Sequence, residues 1–416
     1  MKKLSLAYLF PALLLLTSCF HNGKGSGISL SYVETVLEDT SAVGYHVLRA
    51  HDTEDKYKSI AVVGSPEETL PVINEMMSAD YFNNIDGRMI PDGLPDFSGE
   101  MIEGLLDVAN SPYDGYVLND NGNYLREINV RNFISALDTN YIYSPYDRNQ
   151  LECKSGSKIV IFGSTYSSCY GMADVDTLRQ FSKVDVPIFS PVDCMFDKVL
   201  ARRNRAKHLC VWTTDEKVNT GLYPDAYGLY LKTRTVSGPE LLVFNPDKYV
   251  GTQRRFMDIL DLYLEYDFNE PISCMIVDDP GVNMEELELL VKNLKDDQDE
   301  SKLAYRNVLA DDFEFIYPAR AIAESVFRFM REKNCFTHKI SYPVFKGYMT
   351  YPVNDMPVNS YTDDGSFTAD FKYHRADGTN EESWFVISMR ERYISAVLRS
   401  MMEMYAPKIV NEYVYQ

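Results

Sequence analysis

Lys158-Ile-Val-Ile-Phe-Gly-Ser-Thr-Tyr-Ser-Ser168 decides how this chain folds. An unbroken apolar run ends in glycine and a row of hydroxyl residues, and helix-like sequence follows from Ala173 to Phe181. A continuous apolar run, rather than an alternating one, is what a strand buried on both faces needs. Such strands occur where helices cover both sides of a parallel sheet. The pattern recurs outward from this stretch. Ile60-Ala-Val-Val-Gly64 leads through Ser65-Pro-Glu-Glu-Thr into a helix ending near Met77. Tyr113 to Leu118 reads as a strand and Leu125 to Leu137 as a helix. Val186-Pro-Ile-Phe189 reads as a strand, Asp193 to Arg203 as a helix, and His208 to Thr213 as a strand.

The second half repeats it. Glu240-Leu-Leu-Val-Phe244 precedes a helix through Tyr266, and Ile272 to Val277 precedes one from Met284 to Leu294. Phe313-Glu-Phe-Ile-Tyr317 precedes a helix from Ala319 to Lys333. Strands alternating with helices predict an α/β fold with two doubly wound parallel-sheet domains. Turn-rich sequence between Thr214 and Pro239 places the boundary, giving domains at 28–225 and 226–345. Residues 346–416 change character. Asp364-Gly365 and Asp377-Gly378 and several prolines predict hairpins, and a terminal helix carries Ile387, Ile394, Leu398, Met401 and Tyr405 on one face.

Composition narrows the function classes. Apolar residues make up 45% and charged residues 25%, the globular range, and the formal charge is −20. Phosphate backbones repel such a chain, so nucleic acid is excluded as a partner. Neither Cys-x-x-Cys nor His-x-x-x-His occurs, so no metal site is expected, and no cofactor motif stands out. Cys210 and Cys274 lie inside apolar strand-like runs, where a buried free thiol is expected. The pairing of Cys153, Cys169, Cys194 and Cys335 stays open. Asp86, Asp92, Asp96 and Glu100 crowd one loop. Pro91 and Pro95 break any EF-hand spacing, which favours a polar surface loop over a calcium site or an acid/base pair.

The N-terminus has Lys2 and Lys3, an apolar run from Leu4 to Leu16, then Thr17-Ser18-Cys19. The run is too short to span a bilayer, which takes about 20 residues, and has the layout of a secretory signal. Leu16-Thr-Ser-Cys19 resembles the lipobox of bacterial lipoproteins. That resemblance implies cleavage after residue 18, lipidation of Cys19 and a tether over 19–27, anchoring the chain to a membrane of the bacterial envelope. Lipoproteins sent to the cell surface in some Gram-negative groups resemble one another in carrying acidic residues just there; the residues after Cys19 carry no such cluster, so the resemblance implies the periplasmic face.

In doubly wound sheets ligands sit outside the carboxyl ends of the strands. That rule nominates Ser65, the run Ser164, Tyr166, Ser167 and Ser168, then Ser190 with Asp193, and Asp279 in the second half. Their hydroxyls and carboxylates can hold a polar ligand, or simply cap helices and close turns. Gly163-Ser-Thr-Tyr-Ser-Ser168, a helix, then Pro187-Ile-Phe-Ser-Pro191 resembles the type I periplasmic binding protein fold. The resemblance implies a lipid-anchored solute-binding protein that closes on a small polar ligand of the sugar, amino-acid or nucleoside class. Two alternatives stand beside it. One is an interaction or scaffolding lipoprotein without a ligand. The other is a hydrolase-like or racemase-like α/β enzyme using Cys169 or Ser164.

Overall fold

The computed structural model describes residues 30–413, apart from 53, 203–206, 267, 269, 297–298, 300–301 and 376–382. The segment read as a signal, Cys19 and the stretch read as a tether lie outside the described residues. The strands are β1 (Ser59–Gly64), β2 (Met101–Leu106), β3 (Asn140–Ser144), β4 (Asp147–Cys153), β5 (Ser157–Phe162) and β6 (Ile188–Phe189). They continue with β7 (His208–Thr213), β8 (Glu240–Phe244), β9 (Ile272–Asp278), β10 (Leu309–Ile316), β11 (Val344–Pro352) and β12 (Trp384–Ser388).

The chain is an α/β protein of two compact units. Of the described residues, the larger combines those up to Pro191 with those from Ile322 onward; the smaller is Val192–Ala321. The division therefore falls at 191/192 and 321/322, and not at 225/226 and 345/346. The turn-rich stretch read as a boundary is mostly helix, Asp215–Asn219 and Leu222–Arg234. Its Gly221 sits at φ +65° as the N-cap of the second helix, so a glycine that reads as a linker instead opens an element.

The larger unit holds one sheet in the order β4-β3-β12-β11-β2-β1-β5-β6. From β11 to β6 the strands run parallel. β12 is antiparallel to β11, β3 parallel to β12, and β4 antiparallel to β3. All residues of β1 and β5 are buried, as their continuous apolar runs require. Val63, Val160 and Phe162 pack there against Phe133 and Leu137 of the helix Asn123–Leu137 and Leu178 of Met172–Ser182. The smaller unit's sheet, β10-β9-β7-β8, is parallel throughout. Trp212, Met275 and Ile272 join Phe256 and Leu260 in its core.

The C-terminal extension adds a strand pair and helices to the larger unit. β11 inserts beside β2, with Gly347 opposite Gly104, and β12 pairs back on β11. Three local readings are corrected. Tyr113–Leu118 is not a strand: Asp114–Asp120 is a helix with Tyr113 as its N-cap. The strand that does follow β1 is Met101-Ile-Glu-Gly-Leu-Leu106, whose central Glu and Gly hide its apolar character. The one helix read at the C-terminus is two, Ala396–Tyr405 and Pro407–Tyr413; Ile387 belongs to β12 and Ile394 precedes both helices, so neither lies on that face.

Candidate functional site

In each parallel sheet one strand has its successor on one side and a later strand on the other. The loops leaving those strands diverge there and open a crevice at their carboxyl ends. In the larger unit this point lies between β1 and β5, because β2 lies on the other side of β1. In the smaller unit it lies between β7 and β9, because β8 lies on the other side of β7.

At the β1/β5 point the helix Pro66–Ser78 starts from Ser65. Ser65-Pro-Glu-Glu68 has the Ser-x-x-Glu spacing of a capping box, in which each side chain satisfies the other's backbone. The structure uses the residues differently. The Ser65 hydroxyl makes no cap bond, is buried, and has no hydrogen-bond partner. Glu68 reaches across to the next strand end instead. Its carboxylate accepts the Ser164 hydroxyl, and through its other oxygen the Thr165 N–H at 3.4 Å. Ser164 is itself the N-cap of Thr165–Cys169 and accepts from the Tyr166 N–H at 3.2 Å. The approach depends on glycine. A Cβ on Gly163 would stand 2.8 Å from the Thr69 Cα, and one on Gly64 would stand 3.0 Å from the Thr69 hydroxyl. The Thr69 hydroxyl is buried and unpartnered as well.

Beyond β2 lies a second polar group. Asp107 is fully buried, and its carboxylate accepts four bonds: Asn110 Nδ2 at 2.7 Å, Thr350 Oγ1 at 2.8 Å, the Tyr113 hydroxyl at 2.7 Å and Asn132 Nδ2 at 3.2 Å. Burial, and then Asp107 itself, push the Tyr113 hydroxyl far above its ordinary value, so it remains a donor. The C-terminal segment supplies cations here. Lys372 donates to the Ser111 carbonyl at 2.5 Å; burial lowers its amine, against the pull of Asp107, Asp114 and Glu67. Arg375 donates to Asn110 Oδ1 at 3.0 Å and lies 4.3 Å from the centre of the Tyr124 ring.

The nominated residues divide between the units. In the larger unit Tyr166 is buried, Ser167 is buried and donates to Asn129 Oδ1 at 2.8 Å, Ser168 is half-buried, and Ser190 is buried just past β6. Asp193 and Asp279 belong to the smaller unit. Asp193 stands 3.7 Å from Arg234 Nη2, and Asp279 pairs with Arg255. At the β7/β9 point Asp278 joins Lys217 Nζ at 2.7 Å and the Tyr223 hydroxyl at 2.7 Å, and Arg255 lies 4.8 Å from the Trp212 ring. Each carboxylate there has its own cation.

Cys169 is half-buried, and no disulfide forms among the described cysteines; burial pushes the Cys274 thiol up to about 11. Among the described residues no cluster of three or more His, Cys, Asp or Glu is arranged to hold a metal, and no helix is long and apolar enough to cross a membrane. Sequence reasoning passed over Glu68, Asp107, Lys372 and Lys217. Only Glu68 carried a signal, its spacing from Ser65; Lys372 comes from a segment more than 200 residues from the strands it covers.

No protein-family model matches the chain, and no curated protein is similar to it. Solved structures similar to it include glutamate racemase isoform RacE1 from Bacillus anthracis, at 14% identity and a TM-score of 0.39, covering 70% of this chain and 88% of that one. Glutamate racemase from Francisella tularensis, solved with D-glutamate, is 15% identical at a TM-score of 0.38, covering 73% and 90%. A variant of arylmalonate decarboxylase with sulfate is 10% identical at a TM-score of 0.33, covering 68% and 96%. These neighbours are two racemases and a decarboxylase, not solute-binding proteins. The resemblance drawn from 158–191 to periplasmic binding proteins is therefore corrected, and with it the reading as a lipid-anchored solute-binding protein. Physically, a strand ending in Gly-Ser before a helix is common to doubly wound sheets in general, so the motif does not separate one such family from another.

Proposed function

We propose that this protein is an α/β enzyme that moves a proton on a small polar substrate at the β1/β5 strand ends of the larger unit. One observation carries the reading: the Ser164 hydroxyl and the Glu68 carboxylate meet across the crevice, beside the buried, unpartnered hydroxyl of Ser65. Glu68 is the proton-transferring group, and Ser164 orients it by donating to Oε2. Ser65 offers a preorganised hydroxyl to a polar group of the substrate. Ser164 is not read as a hydrolase nucleophile. Its hydrogen-bond partners are Glu68 and the Tyr166 N–H, and among the described residues no histidine bonds to it.

The substrate class favoured is an amino acid or related small carboxylic acid, whose α-proton a carboxylate can remove and return. The test is loss of α-proton NMR signal from a panel of amino and hydroxy acids incubated with the protein in D2O. At least one compound is expected to exchange, with Glu68→Gln slowing exchange by about 100-fold or more and Ser164→Ala by about 10-fold. Absence of exchange across the panel by folded protein, or full activity in Glu68→Gln, sinks the reading.

A further inference from the structure

A cavity of about 750 Å³ lies at the opposite end of the same sheet, where the chain enters β2 and β11. Its floor is aromatic and rigid. Phe327 stacks on Phe82 with ring centres 4.4 Å apart, and Phe336 meets Phe327 edge-on at 5.4 Å. Its walls are pinned by hydrogen bonds, the first of them buried. The Thr337 N–H donates to Glu100 Oε1 at 2.7 Å, the Gly99 N–H to the Ser341 carbonyl at 2.7 Å, and Arg331 to the carbonyls of Asn84 and Ile85 at 3.3 and 3.0 Å. The cavity is therefore preformed, and its volume is that of a site for a drug-sized molecule.

The lip and the lining indicate what it takes. Leu94, Ile340 and Tyr342 are 51%, 105% and 72% exposed, three large apolar side chains held in water around one opening. Asn84 Oδ1 is a buried acceptor without a partner. Asp96 is already committed, its two oxygens accepting the N–H groups of Tyr81 and Phe82 at 2.9 and 3.0 Å. That leaves Lys339, exposed at the mouth with its ammonium 5.5 Å from the Tyr57 ring, and Arg331 as cations on the lining of a chain whose formal charge is −20.

We propose that this cavity binds an aromatic carboxylate, the ring lying against the half-buried Phe336 and the exposed Ile340 and Tyr342, and the anion turned to Lys339. The site lies at the far end of the strands from Ser164 and Glu68, so it stands or falls separately from the proton-transfer reading. The experiment is a titration of the full chain with 2-naphthoate followed by ligand-observed NMR, repeated with 2-naphthalenemethanol, which keeps the ring system and lacks the charge. Saturable binding of naphthoate is expected, with the alcohol at least tenfold weaker. Lys339→Glu and Ile340→Asp, both at exposed positions, are each expected to weaken naphthoate at least tenfold while the circular dichroism spectrum stays native. No saturation, equal affinity for the alcohol, or wild-type affinity in both natively folded variants overturns the proposal.

Discussion

Asp107 shows what a single buried charge does in this molecule. Four donors from three separate stretches of chain converge on it, so its carboxylate holds the end of β2 against Thr350 of β11 and Asn132 of the helix Asn123–Leu137. Removing a buried charged acceptor leaves its donors dry and unpaired, which costs far more than the bonds themselves are worth. Asp107→Ala is expected to lower stability by about 3 kcal/mol or more in urea denaturation. A loss below about 1 kcal/mol would mean that water replaces the carboxylate. Nothing in the sequence marked this residue. Leu106-Asp107-Val108 reads as a strand end like many others, and three of the four donors are unrecognisable without the fold. Ser164 was legible because its type and position at a strand end are local facts, whereas its partner Glu68 stands 96 residues earlier.

At the scale of elements, the β-α-β pattern was readable where a buried strand is an unbroken apolar run; β2, buried as well, was missed because Glu103 and Gly104 interrupt its run. β1, β5, β7 and β9 are continuous apolar runs and were found. β3 and β4 were not. β4 is exposed along its whole length at the sheet edge, so burial imposes no apolar pattern on it. The close approach of β1, β5 and the helix Pro66–Ser78 rests on glycine at the strand ends, and this sets a test. Gly163→Ala would place a methyl group 2.7 Å from the Thr69 hydroxyl and 2.8 Å from its Cα, where backbone has to move. Overpacking of this kind costs about 1–3 kcal/mol. Here it should also shift the Ser164–Glu68 pair, so thermal unfolding and α-proton exchange are expected to fall together. An unchanged melting temperature would show that the two elements can separate freely.

At the scale of the whole molecule, two titratable groups, the half-buried His51 and the buried Asp96, set opposite pH dependences. Burial, then Lys58, lower the His51 imidazole to about 4 in the fold, so it stays neutral there. Its contribution is present above the ordinary value of 6.5 and is lost as pH falls towards 4, because the unfolded chain takes up the proton first. Burial raises the Asp96 carboxyl to about 6, against 3.8 ordinarily. The fold therefore holds that proton more tightly, and stability declines as pH rises from about 3.8 to 6. Asp96→Asn is expected to remove this decline, so the variant should gain on wild type between pH 4 and pH 6 in urea denaturation. A constant difference across that window would show that Asp96 does not titrate there. The alternation of buried strands and helices, the α/β class and the hydroxyl-rich strand ends were determined by the sequence alone, because burial on both faces and helix starts leave local, periodic marks. Tertiary structure alone decided that Val192–Ala321 is inserted into a larger unit, that the last 75 residues complete that unit's sheet, and that Glu68 faces Ser164. Pairings across long stretches of chain follow from which surfaces pack together, and no local pattern of residues carries that information.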